Sequence, residues 1–586
     1  MIEFYFVSFV VLFMLSCLVL EMGRPEFIIP FTLLLFMITG IVPVKEAIKG
    51  FSNEGMLTIG LLFIIAGTIQ KSGLVDMLFQ RLLEKSFSTK HVLTRILPPI
   101  SLLSGFINNT PIVIAFTPII KKWCEENGLS PSKFLIPLSY ATILGGTITL
   151  IGTSTNLVVH GLLLDKGLEG FTFFELAKVG VPITILGLLY LIFLGPYLLP
   201  DRKSNALREV ENLRKFTGEV LITKDYPYLH TTIKEAKLRS LKGVFLVSIV
   251  RDNQTIAPVS DVTILREGDR LLFSGDITTI TELQQTKGLE LQSCIGDDFP
   301  KKHKLVEAVI SHHSPLLHKK INSTNFRSRY DAAVIAVHRQ DHRLRTKIGD
   351  IIIKPGDILL LVVGQEFNKR IQSNDFYFTS EHSRIVQSIE DVRSGWYAIL
   401  LLGMMIALVT IGFIPMISAM SIMVMLFIFF KMVSPREIKD FIQWNVLLII
   451  SSSFGIGYAL TNSGVASFIA DVLIKLTAPF GVFAVILSVY LLTNIFTELM
   501  TNSAAAVLMF PIVIELASTL KISPTPLAVV VAIAASASFA TPIGYQTNLI
   551  VYGPGGYRFI DFLKAGLPLN LITMVITTML IYMFWI

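Results

Sequence analysis

The sequence predicts an all-α membrane protein made of two homologous halves, with a soluble α+β insert between them. Three observations lead to this prediction. The 586 residues are 52% hydrophobic and only 16% charged, a composition too apolar for a soluble globular protein. Two motifs of the first half return in the same order in the second half. Between the halves, charged residues and short β-branched runs are typical of a soluble domain.

The net charge of +7 does not indicate a nucleic-acid partner, because the lysines and arginines of a membrane protein collect in its cytoplasmic loops. The first apolar run, residues 4–20, follows Glu3 rather than basic residues, so it is predicted as a membrane span and not as a signal peptide. We therefore expect a multi-pass protein of the plasma membrane, in a bacterium the inner membrane, in contact with lipid.

The first half is residues 1–200, in which a span needs roughly 20 mostly apolar residues. Residues 4–20, 27–43, 54–70 and 177–199 are predicted as simple spans. Polar residues interrupt the apolar stretch 91–122 at its centre and leave two arms too short to cross, which predicts a re-entrant hairpin over about 91–122. Glycines interrupt residues 133–164, which predicts one discontinuous span.

The second half, residues 394–586, repeats this plan. It has predicted spans near 396–411, 413–431 and 444–460, a hairpin over about 480–517, a broken span over 526–552 and a last span from residue 560. Each half then crosses five times, and an odd number inverts the second half relative to the first. The lysines and arginines of the loops place both termini outside and the insert in the cytoplasm.

The insert is itself duplicated. KLRSLKGVFLVSIVRDN (residues 237–253) matches NFRSRYDAAVIAVHRQD (325–341) at an offset of 88 residues, and REGDRLLFSG (266–275) matches KPGDILLLVVG (354–364) at the same offset. Short strands closed by a Gly-Asp turn predict two small α+β modules, residues 201–296 and 297–393.

The repeated membrane motifs are the candidate binding site. FINNTPIVIAFTPII (106–120) returns as LMTNSAAAVLMFPIV (499–513), 393 residues later, so Asn109 and Thr110 are equivalent to Asn502 and Ser503. A broken helix presents N–H groups to an anion and carbonyls to a cation. The alternative for each polar residue is that it joins membrane helices by hydrogen bonds.

A second pair, IGTSTNLVVHG (151–161) and IGYQTNLIVYG (543–553), recurs at an offset of 392 residues. Glycine there permits backbone that turns carbonyls toward an ion; the alternative is a kink needed for packing. This pair supplies Gly152, Thr155 and Asn156 in the first half and Gly544, Thr547 and Asn548 in the second.

Glu498 precedes the second tip and has no acidic equivalent in the first half. An acid at this depth is by default a functional candidate. It could bind a coupling cation or a proton, or brace the hairpin through backbone N–H groups. Its presence in one half only favours bracing.

These residues resemble a known family. The strings NNTPIVIAFTPI, TELMTNSAAAVLMFPI and ATPIGYQTNLIVYGPGGY are similar to those of the divalent anion:sodium symporter family, the sodium–sulfate and dicarboxylate transporters, over nearly the whole chain. The insert resembles a tandem of the RCK-C (TrkA-C-like) domains found in regulators of potassium conductance and uptake, which indicates the sulfate-permease-like branch. The resemblance implies an inverted-repeat, elevator-type transporter that forms homodimers.

Carried over motif by motif, the resemblance implies two sodium sites and one substrate site. The first sodium site would use Ser104, Asn108, Asn109 and Gly152. The second would use Thr497, Met500, Asn502 and Gly544, with Met500 contributing its backbone carbonyl. Substrate would touch Asn108, Asn109, Thr110, Thr501, Asn502 and Ser503.

The chain departs from the family's dicarboxylate pattern, in which both tips read Ser-Asn-Thr. Here they read Asn-Asn-Thr and Thr-Asn-Ser, and Ser154-Thr155 and Gln546-Thr547 stand in place of two Pro-Pro pairs. Added hydroxyl and amide donors suit a tetrahedral oxyanion, whose oxygens all accept hydrogen bonds. We therefore expect sodium-coupled symport of sulfate or a related divalent oxyanion.

Two alternatives stay open: a sodium-coupled dicarboxylate transporter, and a ligand-gated channel or membrane sensor. No P-loop, nucleophile elbow or pair of catalytic acids is present in the sequence, so we expect neither an enzyme nor an organic cofactor. The insert is either a dimerisation and stability module or a receptor for a small regulatory ligand.

Overall fold

The computed structural model describes most of the chain, with gaps chiefly in the insert. The described residues are 2–19, 22, 25–74, 77, 88–202, 217–238, 244–252, 254–256, 259, 262–275, 286–293, 305–311, 314–339, 342–344, 348–364, 366–370, 375–379 and 389–585.

The described part of the first half is helical. Asn53 starts one long helix by accepting hydrogen bonds from the N–H groups of Gly55 and Met56, which would otherwise have no partner. The helices are Ile2–Val19, Pro25–Ile38, Val44–Lys49, Glu54–Lys71, Thr89–Ser104, Asn109–Glu126, Leu135–Gly146, Ser154–Asp165, Ala177–Phe193 and Gly195–Leu198.

The second half follows the same order of long helices. A capping box between Ser434 and Glu437 starts a short helix, and Ser523 caps another. The helices are Ile389–Thr410, Met416–Phe429, Pro435–Phe441, Trp444–Asn462, Val465–Thr477, Val482–Leu499, Asn502–Leu520, Pro524–Ser536, Gln546–Tyr552 and Phe559–Trp585.

The predicted multi-pass membrane protein is confirmed. Within the described residues, six helices are long and apolar enough to cross a bilayer, and five shorter apolar helices accompany them. The predicted second hairpin rests on its repeat of the first hairpin and not on the length of its arms. Its helices have 18 and 19 residues, and each could cross by length and composition. Arm length therefore does not decide that this hairpin is re-entrant, which stays a prediction.

The insert contains two antiparallel sheets with the same topology. The first has the order β3-β2-β4-β1-β5 and the second β8-β7-β9-β6-β10, so each strand has its counterpart at the same place. The strands are β1 Thr217–Ile222, β2 Val244–Arg251, β3 Gln254–Ile256, β4 Arg270–Gly275, β5 Leu289–Ser293, β6 Leu305–Ile310, β7 Ala332–Arg339, β8 His342–Arg343, β9 Ile358–Val363 and β10 Phe376–Thr379. Short helices Phe326–Tyr330 and Phe367–Arg370 pack beside the second sheet.

A buried ion pair closes each Gly-Asp turn. Asp357 accepts two hydrogen bonds of 2.7 Å from the Arg339 guanidinium and one of 2.8 Å from the Lys354 N–H. Asp269 accepts the same set from Arg251 and from the backbone of the first module. The hydrogen bonds to Asp357 raise the pKa of Arg339 above its ordinary value. Both carboxylates are nearly inaccessible to solvent, so each depends on its arginine.

The second module packs against the membrane-spanning part. Val309 and Ile358 join the apolar cluster formed by the long helices. Gly356, in the turn before β9, lies against Leu549, and a methyl group added to Gly553 would overlap Ile358. Lys121, near the end of helix Asn109–Glu126, forms an ion pair with Glu307 of β6.

We predict that Asp357→Ala destabilises the second module by about 3 kcal/mol, because it leaves a partly buried guanidinium without its counter-ion. Hydrogen exchange of β7 and β9 in the full chain in detergent measures this loss. Asp350→Ala is the matched control. The Asp350–Lys320 pair of the same module is 3.6 Å long and more than half exposed, so the control should cost less than about 1 kcal/mol. Equal losses for the two variants would contradict the prediction.

Candidate functional site

The first hairpin is formed by helices Thr89–Ser104 and Asn109–Glu126, which meet at a short non-helical tip. Across this tip, the Ser104 hydroxyl donates to Asn109 Oδ1 at 2.6 Å and lies 2.9 Å from the carbonyl oxygen of Thr142. Ser104 and Asn109 are fully buried. Three oxygen atoms thus come together where one helix ends and the next begins.

The second hairpin repeats these contacts residue by residue. Thr497 Oγ1 lies 3.0 Å from Asn502 Oδ1 and 2.6 Å from the carbonyl oxygen of Ala535. Thr497, Asn502 and Ala535 each stand 393 residues after their counterparts in the first cluster. Both oxygen clusters consist of a hydroxyl, an amide oxygen and a carbonyl at a helix end, a donor set that suits a sodium ion.

An asparagine amide bridges the break in each broken span. Asn156 Nδ2 donates to the carbonyls of Gly146 (3.1 Å) and Thr149 (2.9 Å), on the other side of the break. Asn548 Nδ2 donates at 3.0 Å to the carbonyls of Ser538 and Thr541. These acceptors are again equivalent, at an offset of 392 residues. Each amide therefore satisfies two carbonyls that the interrupted helix leaves open.

The oxygen atoms of these two amides differ. The Oδ1 atom of Asn548 accepts a hydrogen bond of 2.8 Å from Ser139 of the first half. Asn156 Oδ1 is buried and has no hydrogen-bond partner within the part of the chain that the structure describes. A buried acceptor of this kind fits a site that binds a cation.

Close backbone packing holds each break against its hairpin. A methyl group at Gly146 would contact the Asn109 amide, and one at Gly152 would contact the Gly146 backbone. In the second half, Gly544 lies against the Ser538 hydroxyl and the Glu498 carboxylate. Backbone therefore leaves no room for a side chain at Gly152, whereas a methyl group at Gly146 or Gly544 would have to displace neighbouring side chains.

The Glu498 carboxylate is hydrogen-bonded to the second break. It accepts hydrogen bonds from the N–H groups of Ala540 (2.8 Å) and Thr541 (2.9 Å), from the Thr541 hydroxyl (2.8 Å) and from the Asn570 amide (2.9 Å). The counterpart of Glu498 in the first half is Gly105, which has no side chain. There the Thr149 hydroxyl donates to the carbonyl of Gly105. Four donors occupy the Glu498 carboxylate, an arrangement that fits the predicted bracing role.

The two halves meet at the second break. The Tyr545 hydroxyl accepts a hydrogen bond of 2.7 Å from Asn109 Nδ2, and Thr110 Oγ1 lies 3.3 Å from Gln546 Oε1. The Ser139 hydroxyl lies 2.8 Å from Thr547 Oγ1. The first tip is thus joined directly to the broken span of the other half.

The structure brings most of the predicted residues together, although their roles in binding stay predictions. Ser104, Asn109 and Gly152 gather around the first break, while Thr497, Asn502 and Gly544 gather around the second. Thr110, Thr155, Asn156, Met500, Ser503, Thr547 and Asn548 are buried, Asn108 is half-buried, and Thr501 at the second tip is exposed.

Sequence reasoning missed Tyr545, Thr142, Ala535 and Ser139. Thr142 and Ala535 contribute backbone carbonyls, which no side-chain pattern reveals. Tyr545 lies inside a repeated motif, and its mismatch with Thr153 was the signal that could have identified it.

Comparison with known proteins agrees with this arrangement. The citrate transporter family model matches residues 10–534 and 499–586. The chain belongs to this family of membrane transporters. Together with the relatives below, the match confirms the predicted membership of the divalent anion:sodium symporters.

Three relatives cover nearly all of the chain. A Chlamydomonas reinhardtii protein, named for a role in the response to sulfur deprivation, is 32% identical over 93% of this chain and 95% of its own length. An uncharacterized transporter of Synechocystis sp. is 32% identical over 98% and 96% of the two chains. Sodium/sulfate cotransporter 1 of Chlamydomonas reinhardtii is 24% identical over 94% and 86%.

We predict that Glu498→Gln lowers the free energy of unfolding by about 2 kcal/mol, because an amide NH₂ replaces an acceptor that faces buried donors. Thermal unfolding of the purified protein in detergent measures the change. Glu515→Gln, in the outgoing helix of the same hairpin, is the control and should change stability little. If Glu498→Gln keeps full stability and instead removes the pH dependence of transport, the carboxylate binds a proton and does not brace the tip.

Proposed function

We propose that this transporter couples sodium entry to the uptake of sulfate or a related divalent oxyanion. The observation that carries the proposal is the pair of oxygen clusters at the hairpin tips, built from the same contacts in both halves. Relatives named sodium/sulfate cotransporters support both the coupling ion and the substrate class.

The charge of the anion requires compensation. The four repeated motifs contain no lysine or arginine, so no cationic side chain of theirs can face the substrate. The helices Asn109–Glu126 and Asn502–Leu520 begin at the tips, and their N-terminal N–H groups favour an anion. Two sodium ions bound next to them would offset the remaining charge and make anion affinity depend on sodium.

The polar groups around the tips favour sulfate over a dicarboxylate. Thr110, Gln546 and Tyr545 converge near the first tip, and Gln546 stands where the dicarboxylate pattern of the family has a proline. These donors suit a compact anion whose oxygens only accept hydrogen bonds. A dicarboxylate remains the second candidate, because the matched family model is named for citrate, which is also a carboxylate anion.

We propose alternating access by an elevator movement within a homodimer, in which the hairpins and broken spans move against the remaining helices. The insert is then a cytoplasmic regulator. Its second module touches two helices that carry site residues, Asn109–Glu126 through Lys121 and Gln546–Tyr552 through Leu549. A small ligand that shifts this module would act on the moving part directly.

The double substitution Asn109→Ala, Asn502→Ala should abolish sodium-stimulated uptake, because it removes the amide oxygen from both clusters. Labelled-sulfate uptake into proteoliposomes, with and without a sodium gradient, measures this. Asn127→Ala is the matched control, since Asn127 is exposed at the far end of the first hairpin and should leave uptake unchanged. Wild-type uptake at full affinity without sodium would refute the coupling, and competition by succinate would favour the dicarboxylate candidate.

The substitutions Lys121→Glu and Glu307→Lys should each raise the maximal uptake rate by about fivefold, because each breaks a contact that restrains a site helix. The double swap restores an ion pair and should restore the wild-type rate, with the KM for sulfate unchanged throughout.

Lys122→Glu is the control for this experiment. Its ion pair with Glu126 is exposed, and it should leave the rate unchanged. Single substitutions that match the wild-type rate would argue that the second module only stabilises the protein.

A further inference from the structure

The hydroxyl of Tyr545 lies at the first hairpin tip, where the two halves meet. It accepts a hydrogen bond of 2.7 Å from Asn109 of the first tip and lies 3.2 Å from the hydroxyl of Thr153. The side chain is only 8% exposed, so the ring fills protein interior and the hydroxyl is its single polar end.

Tyr545 and Thr153 are equivalent residues of the two repeats, 392 positions apart. Equivalent residues that touch each other must lie where the repeats meet. The contacts of the two oxygen clusters are matched, but here a large aromatic residue faces a small one. The difference in side-chain volume therefore falls at the centre of the proposed binding site.

The hydrogen-bond pattern leaves the phenol proton available. Ser104 donates to Asn109 Oδ1, which orients Asn109 so that its NH₂ group donates to Tyr545. The phenol oxygen therefore accepts from Asn109, and its own proton can point either to Thr153 or to a bound anion. A sulfate oxygen at that place would replace a neutral partner by a charged one, which is the stronger acceptor.

We propose that Tyr545 is the residue that sets substrate size, and that its hydroxyl donates a hydrogen bond to the transported oxyanion. The ring takes up the space that the second carboxylate of a dicarboxylate would need, so that a compact tetrahedral anion fits and succinate does not. This inference rests on the proposed function, anion transport at the tips.

The test compares wild type, Tyr545→Phe and Tyr545→Thr in proteoliposomes with labelled sulfate and labelled succinate under a sodium gradient. Tyr545→Phe keeps the ring and loses the donor, so the KM for sulfate should rise about tenfold while succinate stays excluded. Tyr545→Thr makes the two repeats alike at this position and should admit succinate, both as a transported anion and as an inhibitor of sulfate uptake.

Tyr552→Phe is the matched control, because Tyr552 is buried at the other end of the same short helix and packs on Phe562. It should keep the wild-type KM and selectivity. The role of Tyr545 alone would be overturned if Tyr545→Phe transported sulfate with the wild-type KM and Tyr545→Thr still excluded succinate. Wild-type transport of succinate in preference to sulfate would overturn the proposed substrate, and the size filter with it.

Discussion

The site depends on one constraint, which is that a helix interrupted inside a membrane leaves carbonyls without water to bind them. Asn156 and Asn548 meet it by giving both amide protons to carbonyls on the far side of each break. The breaks are thereby fixed in place, and the hairpins pack against them. The Asn109 amide lies on Gly146, and the hydroxyl of Thr497 reaches the carbonyl of Ala535. Oxygen atoms gather at the tips because these hydrogen bonds fix the breaks next to them.

The two halves repeat the same main contacts, and the site is asymmetric only where equivalent residues of the two halves differ. Glu498 faces four donors where the first half has only the carbonyl of Gly105, and Tyr545 stands opposite Thr153. A frame of two equal halves would offer the same groups to both sides of a substrate. One-sided residues are therefore the places where stability and selectivity can be adjusted without disturbing either oxygen cluster.

The sequence predicted the local features well, because local features follow from residue order. Polar residues inside apolar stretches marked both tips, and the helices end and begin there at Ser104, Asn109 and Asn502. The sequence could not predict the contacts between the two halves. Asn109 and Tyr545 are 436 residues apart, and periodicity carries no information on such a pair. The repeat predicted the second hairpin, but its re-entrant form stays a prediction, because each of its helices is long and apolar enough to cross a membrane.

The insert contacts two helices of the candidate site, at different distances from the site residues. Lys121 lies 12 residues beyond Asn109 on one continuous helix, which spans about 18 Å at 1.5 Å per residue. The ion pair with Glu307 therefore lies on the same helix as the first tip, with Pro118 between them. The second contact lies closer, since Gly356 rests on Leu549, the neighbour of Asn548. Asn548 bridges the second break, so in the proposed regulation a movement of this turn of the insert would act on the hydrogen bonds that fix the break.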